Sequence, residues 1–182
     1  VEGAGRTDTG VHARGQTANF KVESTMDLFS LMKGLNAVLP NDVRIKKLDE
    51  AEMGFHARFS AKERRYKYHI VQRPIAVGRH FHWFYPHPVN FELMQSGCAL
   101  LIGEKSFKSF CLSEAEVNHY LCRVFKAEWV EREGVKIFEI HANRFLHNMV
   151  RALVGTFINL GRGKITLDDL RTILEKEDRK LA

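Results

Sequence analysis

Apolar positions along this chain recur at two spacings, and the switches between them mark out its elements. In residues 26–39, Met26, Leu28, Leu31, Met32, Leu35, Val38 and Leu39 repeat at helical spacing. That predicts a helix capped by Ser24 or Thr25 and ended by Pro40. Residues 1–4 and 15–23 read as strands before it, and residues 43–48 as a short strand after it. Residues 51–62 show no clear period and read as a connector. Residues 64–72 read as a strand with Tyr66, Tyr68 and Ile70 on one face. Residues 79–85 alternate histidine with aromatic rings and are expected to be extended. Residues 91–102 read as a helix stopped by Gly103. Residues 122–132 and 135–143 read as two strands joined at Glu133-Gly134, a hairpin signal. Residues 147–160 predict an amphipathic helix stopped by Gly161, with Val150, Leu153, Val154, Phe157 and Ile158 as its buried face. A last helix is expected over residues 167–176, capped by Thr166.

This order implies an α+β protein. Residues 1–53 run strand, strand, helix, strand; residues 54–62 connect; residues 63–182 run strand, helix, strand, strand, helix. The second run is a ferredoxin-like βαββαβ unit lacking its last strand. The first is the same unit lacking its first strand and helix. Two related lobes, both incomplete, are expected, and the start at Val1 reads as though the chain were cut from something longer.

Composition narrows the classes. The 182 residues are 45% apolar and 27% charged, as in a soluble globular protein, and the 13 phenylalanines suit a well-filled core. A net charge of +6 favours a polyanionic partner. Cys98, Cys111 and Cys122 are odd in number and have no Cys-x-x-Cys spacing, which points to reduced thiols in a cytoplasmic protein. No apolar run is long enough to cross a membrane, and Glu2 and Arg6 interrupt any signal-peptide core.

Three stretches carry candidate chemistry. Gly5-Arg6-Thr7-Asp8-Thr9-Gly10-Val11-His12 sets one carboxylate and one guanidinium between glycines. It reads either as a reactive loop or as a surface turn with a solvated ion pair. Residues 55–68, FHARFSAKERRYKY, interleave Arg58, Lys62, Arg64, Arg65 and Lys67 with Phe59, Tyr66 and Tyr68. Cations can hold phosphates and rings can stack on unpaired bases, or the segment is a charge-protected edge strand. Residues 145–161, FLHNMVRALVGTFINLG, place Arg151 in an apolar run with His147 four residues earlier. Either Arg151 lies on the exposed flank, or it is buried and needs a carboxylate, for which Asp8 is the candidate.

Four motifs in this order, GRTDTGVHA, NAVLPNDV, FHARFSAKERRYKY and FLHNMVRALVGTFINLGRG, resemble the bacterial tRNA pseudouridine synthase A family over nearly the whole chain. The resemblance implies two ferredoxin-like lobes whose antiparallel sheets join around a central basic cleft. It implies a cofactor-free homodimer, with no metal, that isomerises uridines in the anticodon stem-loop of tRNA. It assigns Asp8 as the catalytic nucleophile or base, Arg6 as the arginine that fills the place of the displaced base, and Tyr66 as the active-site tyrosine. Tyr66 would stack on the base and help remove the C5 proton. Arg151 would pair with Asp8, withdrawn from water. Arg6, Arg58, Lys62, Arg64, Arg65 and Lys67 are the expected RNA contacts. Two departures stand out: the outer strands noted above are missing, and Thr9 stands where many members have alanine.

Three rivals remain in view. Asp8-Thr9-Gly10 is shared with aspartic proteases, which need a second copy that this chain lacks. His80, His82 and His87 could begin a zinc site, but no cysteine or carboxylate beside them completes it. A non-catalytic RNA-binding α+β module is the strongest alternative, since it needs the basic and aromatic residues but not Asp8 with Arg151.

Overall fold

The computed structural model describes residues 1–112 and 119–182. They form two compact units, residues 1–6 with 13–61 and residues 7–12 with 62–182.

In the first unit, β1 (Glu2–Gly3) pairs antiparallel with β2 (Ala18–Asn19). The strand expected over residues 15–23 is confined to β2 because its partner is only two residues long. Helix α1 (Leu28–Val38) is capped by Asp27, whose carboxylate accepts from Ser30 N–H at 3.0 Å. Ser24, one of the expected caps, instead accepts from Met26 N–H one turn too early. Residues 43–48 form no strand. The Asn36 side chain takes both backbone groups of Ile45, donating to its carbonyl at 3.0 Å and accepting from its N–H at 2.8 Å. A residue so engaged has nothing left for a ladder.

The second unit is a five-stranded sheet in the order β4-β3-β7-β6-β5. Its strands are β3 (Arg64–Val71), β4 (Trp83–Phe84), β5 (Gly103–Ser106), β6 (Leu121–Arg132) and β7 (Val135–Ala142). All pairs are antiparallel except β3 with β4. The hairpin joining β6 and β7 closes at Glu133-Gly134, both at positive φ (51° and 76°), with Arg132 opposite Val135. That is the mirror-image turn a two-residue loop requires. Residues 79–85 are a 3₁₀ turn (Arg79–Phe81) followed by the short β4, not one extended run.

Helices α2 (Phe91–Cys98), α3 (Met149–Gly161) and α4 (Leu167–Lys176) complete the unit. Residues 91–102 do not make one helix: α2 ends at Cys98, a 3₁₀ turn follows over Ala99–Leu101, and Gly103, at φ +97°, opens the unexpected β5. The core gathers Met94 and Leu101, Phe138 and Ile140, and Leu153, Phe157 and Leu160, with Phe107 and Phe110, all fully buried. Trp129, Phe138 and Phe157 meet as rings 5.1–5.9 Å apart. Tyr66 and Tyr68 pack against this core, and Ile70 lies within it, so one face of β3 is the helix-covered face. Close approach of α2 and α3 depends on small residues: a Cβ on Gly97 would fall 2.9 Å from both Leu160 Cδ2 and Phe157 Cε1. Past Val124 the outer edge of β6 runs beyond β5, and Gln95 of α2 accepts from Trp129 N–H there at 2.7 Å.

On the opposite sheet face the side chains are charged. Lys67 lies 3.1 Å from Glu139, Lys126 2.6 Å from Glu128, and His141 2.8 Å from Glu139. Glu139 is only 8% exposed. Burial pushes its carboxyl up, but hydrogen bonds from His141 and Lys67 outweigh this and hold it below the usual range. Thr166 caps α4 in a reciprocal box with Asp169, as expected of that cap. No helix among the described residues is long and apolar enough to cross a membrane.

Candidate active site

Residues 7–12 pack in the second unit. Val11 N–H donates to the Asp8 carbonyl at 3.1 Å, closing a four-residue turn. Gly10 occupies its third position at φ +81°, where a type II turn needs glycine. The turn presents Asp8 half-buried, its side chain 31% exposed.

The second part of the site is the start of α3. Leu146 is buried, Met149 N–H donates to its carbonyl at 3.1 Å, and Asn148 turns left-handed at φ 64°. The helix therefore begins at Met149, and His147 stands in the tight turn before it rather than on the helix. Met149, Leu153 and Phe157 line the buried stripe. Arg151, two residues past Met149, points about 200° away around the axis. It is exposed, so the expected withdrawal from water is corrected. Its pairing is corrected too. Arg151 Nη2 donates to the Thr9 backbone carbonyl, while the Asp8 carboxylate faces His147 Nε2 at 3.4 Å.

Tyr66 belongs to the same cluster. Its ring meets Phe145 edge-on at 4.8 Å. Burial first, and the charge of Asp8 second, push its phenol above the ordinary 10.0. Burial also raises the Tyr68 phenol, against the nearby Arg151 cation. Asp8, Tyr66 and Arg151, named from sequence, thus lie around one centre. A cavity of about 570 Å³ opens beside Arg151, lined by Trp83, Tyr85, Asn148, Arg162 and Arg179 among others.

The expected RNA contacts are distributed differently. Arg6 and Arg58 belong to the first unit; Arg6 is exposed, and the Arg58 guanidinium lies 5.5 Å over the Phe59 ring. In the second unit Lys62 is exposed, and Arg64 donates to the Asn143 carbonyl at 2.7 Å. Arg65 is paired with Glu63 and Lys67 with Glu139. His147 and the Thr9 carbonyl were not singled out as site groups by sequence, because which group meets Arg151 and which meets Asp8 depends on side-chain placement that no local pattern carries. Among the described residues, no group of three or more His, Cys, Asp or Glu side chains could hold a metal ion. Cys98, Cys111 and Cys122 are free and buried.

The profile of a family described as tRNA pseudouridine synthase matches residues 98–182. Proteins named tRNA pseudouridine synthase A match nearly the whole chain. That of Chlorobium limicola is 41% identical over 172 residues, covering 94% of this chain and 71% of the relative. That of Caldicellulosiruptor bescii is 42% identical over 184 residues, covering 99% and 75%. That of Bacteroides fragilis is 39% identical over 181 residues, covering 98% and 72%. Identity at this level over this span fixes the relationship: the chain belongs to the tRNA pseudouridine synthase A family of isomerases.

Proposed function

We propose that this chain isomerises uridine to pseudouridine in the anticodon stem-loop of tRNA, with Asp8 as the catalytic carboxylate. The observation that carries this reading is the grouping of a half-buried carboxylate on a glycine-closed turn with a neutral phenol and an arginine. Uridine must lose its N1–C1′ bond, its uracil must turn, and C5 must bond to C1′ with loss of the C5 proton. Asp8 acts on the ribose, as nucleophile at C1′ or base at C2′, and either route needs the ionised carboxylate. The target nucleoside leaves its stack at a cost of a few kcal/mol. Arg6, two residues before Asp8, takes the vacated place. Tyr66 stacks on the base; its raised phenol suits stacking and hydrogen bonding better than abstraction of the C5 proton. Arg58, Lys62, Arg64, Arg65 and Lys67 meet phosphates, with no cofactor involved.

The same reading divides the chain into lobes at residues 1–53 and 63–182, linked by 54–62, and takes the working form as a cytoplasmic homodimer. In support of a ferredoxin-like second lobe, β3, β7 and β6 are adjacent in that order, α2 lies between β3 and β6 in sequence, and α3 follows β7. The test is release of tritium from tRNA labelled at uridine C5. Release by the chain and its loss in Asp8→Asn, with tRNA affinity kept within about tenfold, is expected, because phosphate contacts dominate affinity. Binding without release would instead mark an RNA-binding module.

A further inference from the structure

The turn before α3 carries a side chain that the chemistry above does not use. His147 Nε2 lies 3.4 Å from Asp8 Oδ1. The backbone at His147 is fixed from three directions: Leu146 is buried, Met149 N–H donates to the Leu146 carbonyl, and Leu112 N–H donates to the His147 carbonyl at 3.1 Å. Four residues later, Arg151 donates to the carbonyl of Thr9. Two consecutive residues of the turn, Asp8 and Thr9, thus meet two side chains from around the start of one helix. Arg151 donates to the backbone, and the His147 ring stands beside the carboxylate.

We propose that His147 is the positioning residue for Asp8: its Nε2–H holds the carboxylate in one orientation toward the ribose. This rests on the reading of Asp8 as the catalytic carboxylate. A carboxylate on a turn otherwise samples several rotamers, only some of which face the reacting carbon. A single imidazole on a rigid turn removes that freedom whether the ring is neutral with its proton on Nε2 or fully protonated, since both forms donate from that nitrogen. The Arg151 contact cannot do so, because it ends on a main-chain oxygen.

The test compares His147→Ala, His147→Gln and Asp8→Asn with the unsubstituted chain, reading tritium release and tRNA affinity. His147→Ala is expected to lower kcat about 10- to 100-fold, the scale of a displaced reacting group. Its KM and its Kd for tRNA should stay within about threefold, because His147 makes no phosphate contact in this scheme. His147→Gln, which can present an amide N–H to Asp8, should recover most of the loss, and added imidazole should recover part of it in His147→Ala. A side chain that only shaped the turn would not respond to imidazole. Unchanged turnover in His147→Ala, or a loss that neither glutamine nor imidazole repairs, overturns the positioning role alone. No release by the unsubstituted chain, or undiminished release by Asp8→Asn, overturns the catalytic reading and this one with it.

Discussion

Arg151 crosses 142 positions of sequence to donate to the backbone carbonyl of Thr9, one residue beyond the carboxylate. A guanidinium fork on a carboxylate uses two parallel bonds, whereas a carbonyl needs only one donor. Arg151→Lys keeps a charge and a donor, so its kcat is expected to fall less than about tenfold. Arg151→Met, with neither, should fall about 100-fold, because the turn is then free to shift. Equal losses in the two variants, measured under saturating tRNA, would mean that the planar fork itself matters.

Gly10 tests the turn directly. Its φ of +81° is one that residues with a Cβ adopt at a cost of about 1–2 kcal/mol. Gly10→Ala should lower kcat/KM for tRNA and lower the melting temperature by only a few degrees, about 2–4 °C per kcal/mol of strain for a chain of this size. A fully active Gly10→Ala would show that the turn is not under conformational constraint.

Two glycines should respond in opposite directions to the same change. Gly97→Ala forces a methyl to 2.9 Å from Leu160 and Phe157, an overpacking expected to cost about 1–3 kcal/mol. Gly155, on the exposed side of α3, has nothing within 4 Å of a built Cβ. Gly155→Ala should stabilise by about 0.5–1 kcal/mol through helix propensity. Denaturant unfolding of both variants checks the pair.

Alkaline pH should loosen the second unit. Burial pushes the Cys98 thiol up to about 12 and the Cys122 thiol up to about 11. In the unfolded chain these thiols lose their protons from about pH 8.5 upward, while the folded chain keeps them. The unfolded state therefore binds fewer protons over this window, and stability falls as pH rises from about 8.5 toward 11. Below that window both states are protonated and the contribution is fully present. Melting curves between pH 7 and 11 should show the fall, with a shallower slope in Cys98→Ala.

Much of the second unit was legible because its signals are local. The alternation of Tyr66, Tyr68 and Ile70, the Glu133-Gly134 hairpin and the Thr166 cap each concern residues close in sequence, and all three are found as expected. The failures have a common cause as well. The irregular backbone at Ile45 is set by Asn36, nine residues away, and β5 exists because Leu121 to Val124 offer it an edge. Such partners do not show in periodicity. The same holds at the site: sequence named Asp8, Tyr66 and Arg151, but the buried stripe of Met149, Leu153 and Phe157 turns Arg151 outward, and the left-handed turn at Asn148 takes His147 off the helix and leaves it beside Asp8.

The charged face of β3 changes what its cations can contribute to RNA binding. Arg65 and Lys67 already hold Glu63 and Glu139, and Glu139 is nearly closed off from solvent. A phosphate arriving there must take the cation from an internal carboxylate, so capture is an exchange of counter-charges, not the filling of an empty seat. The salt dependence of binding should accordingly be shallower than a count of arginines and lysines along residues 58–67 suggests, because cations already neutralised from within have fewer condensed counterions to displace from the RNA.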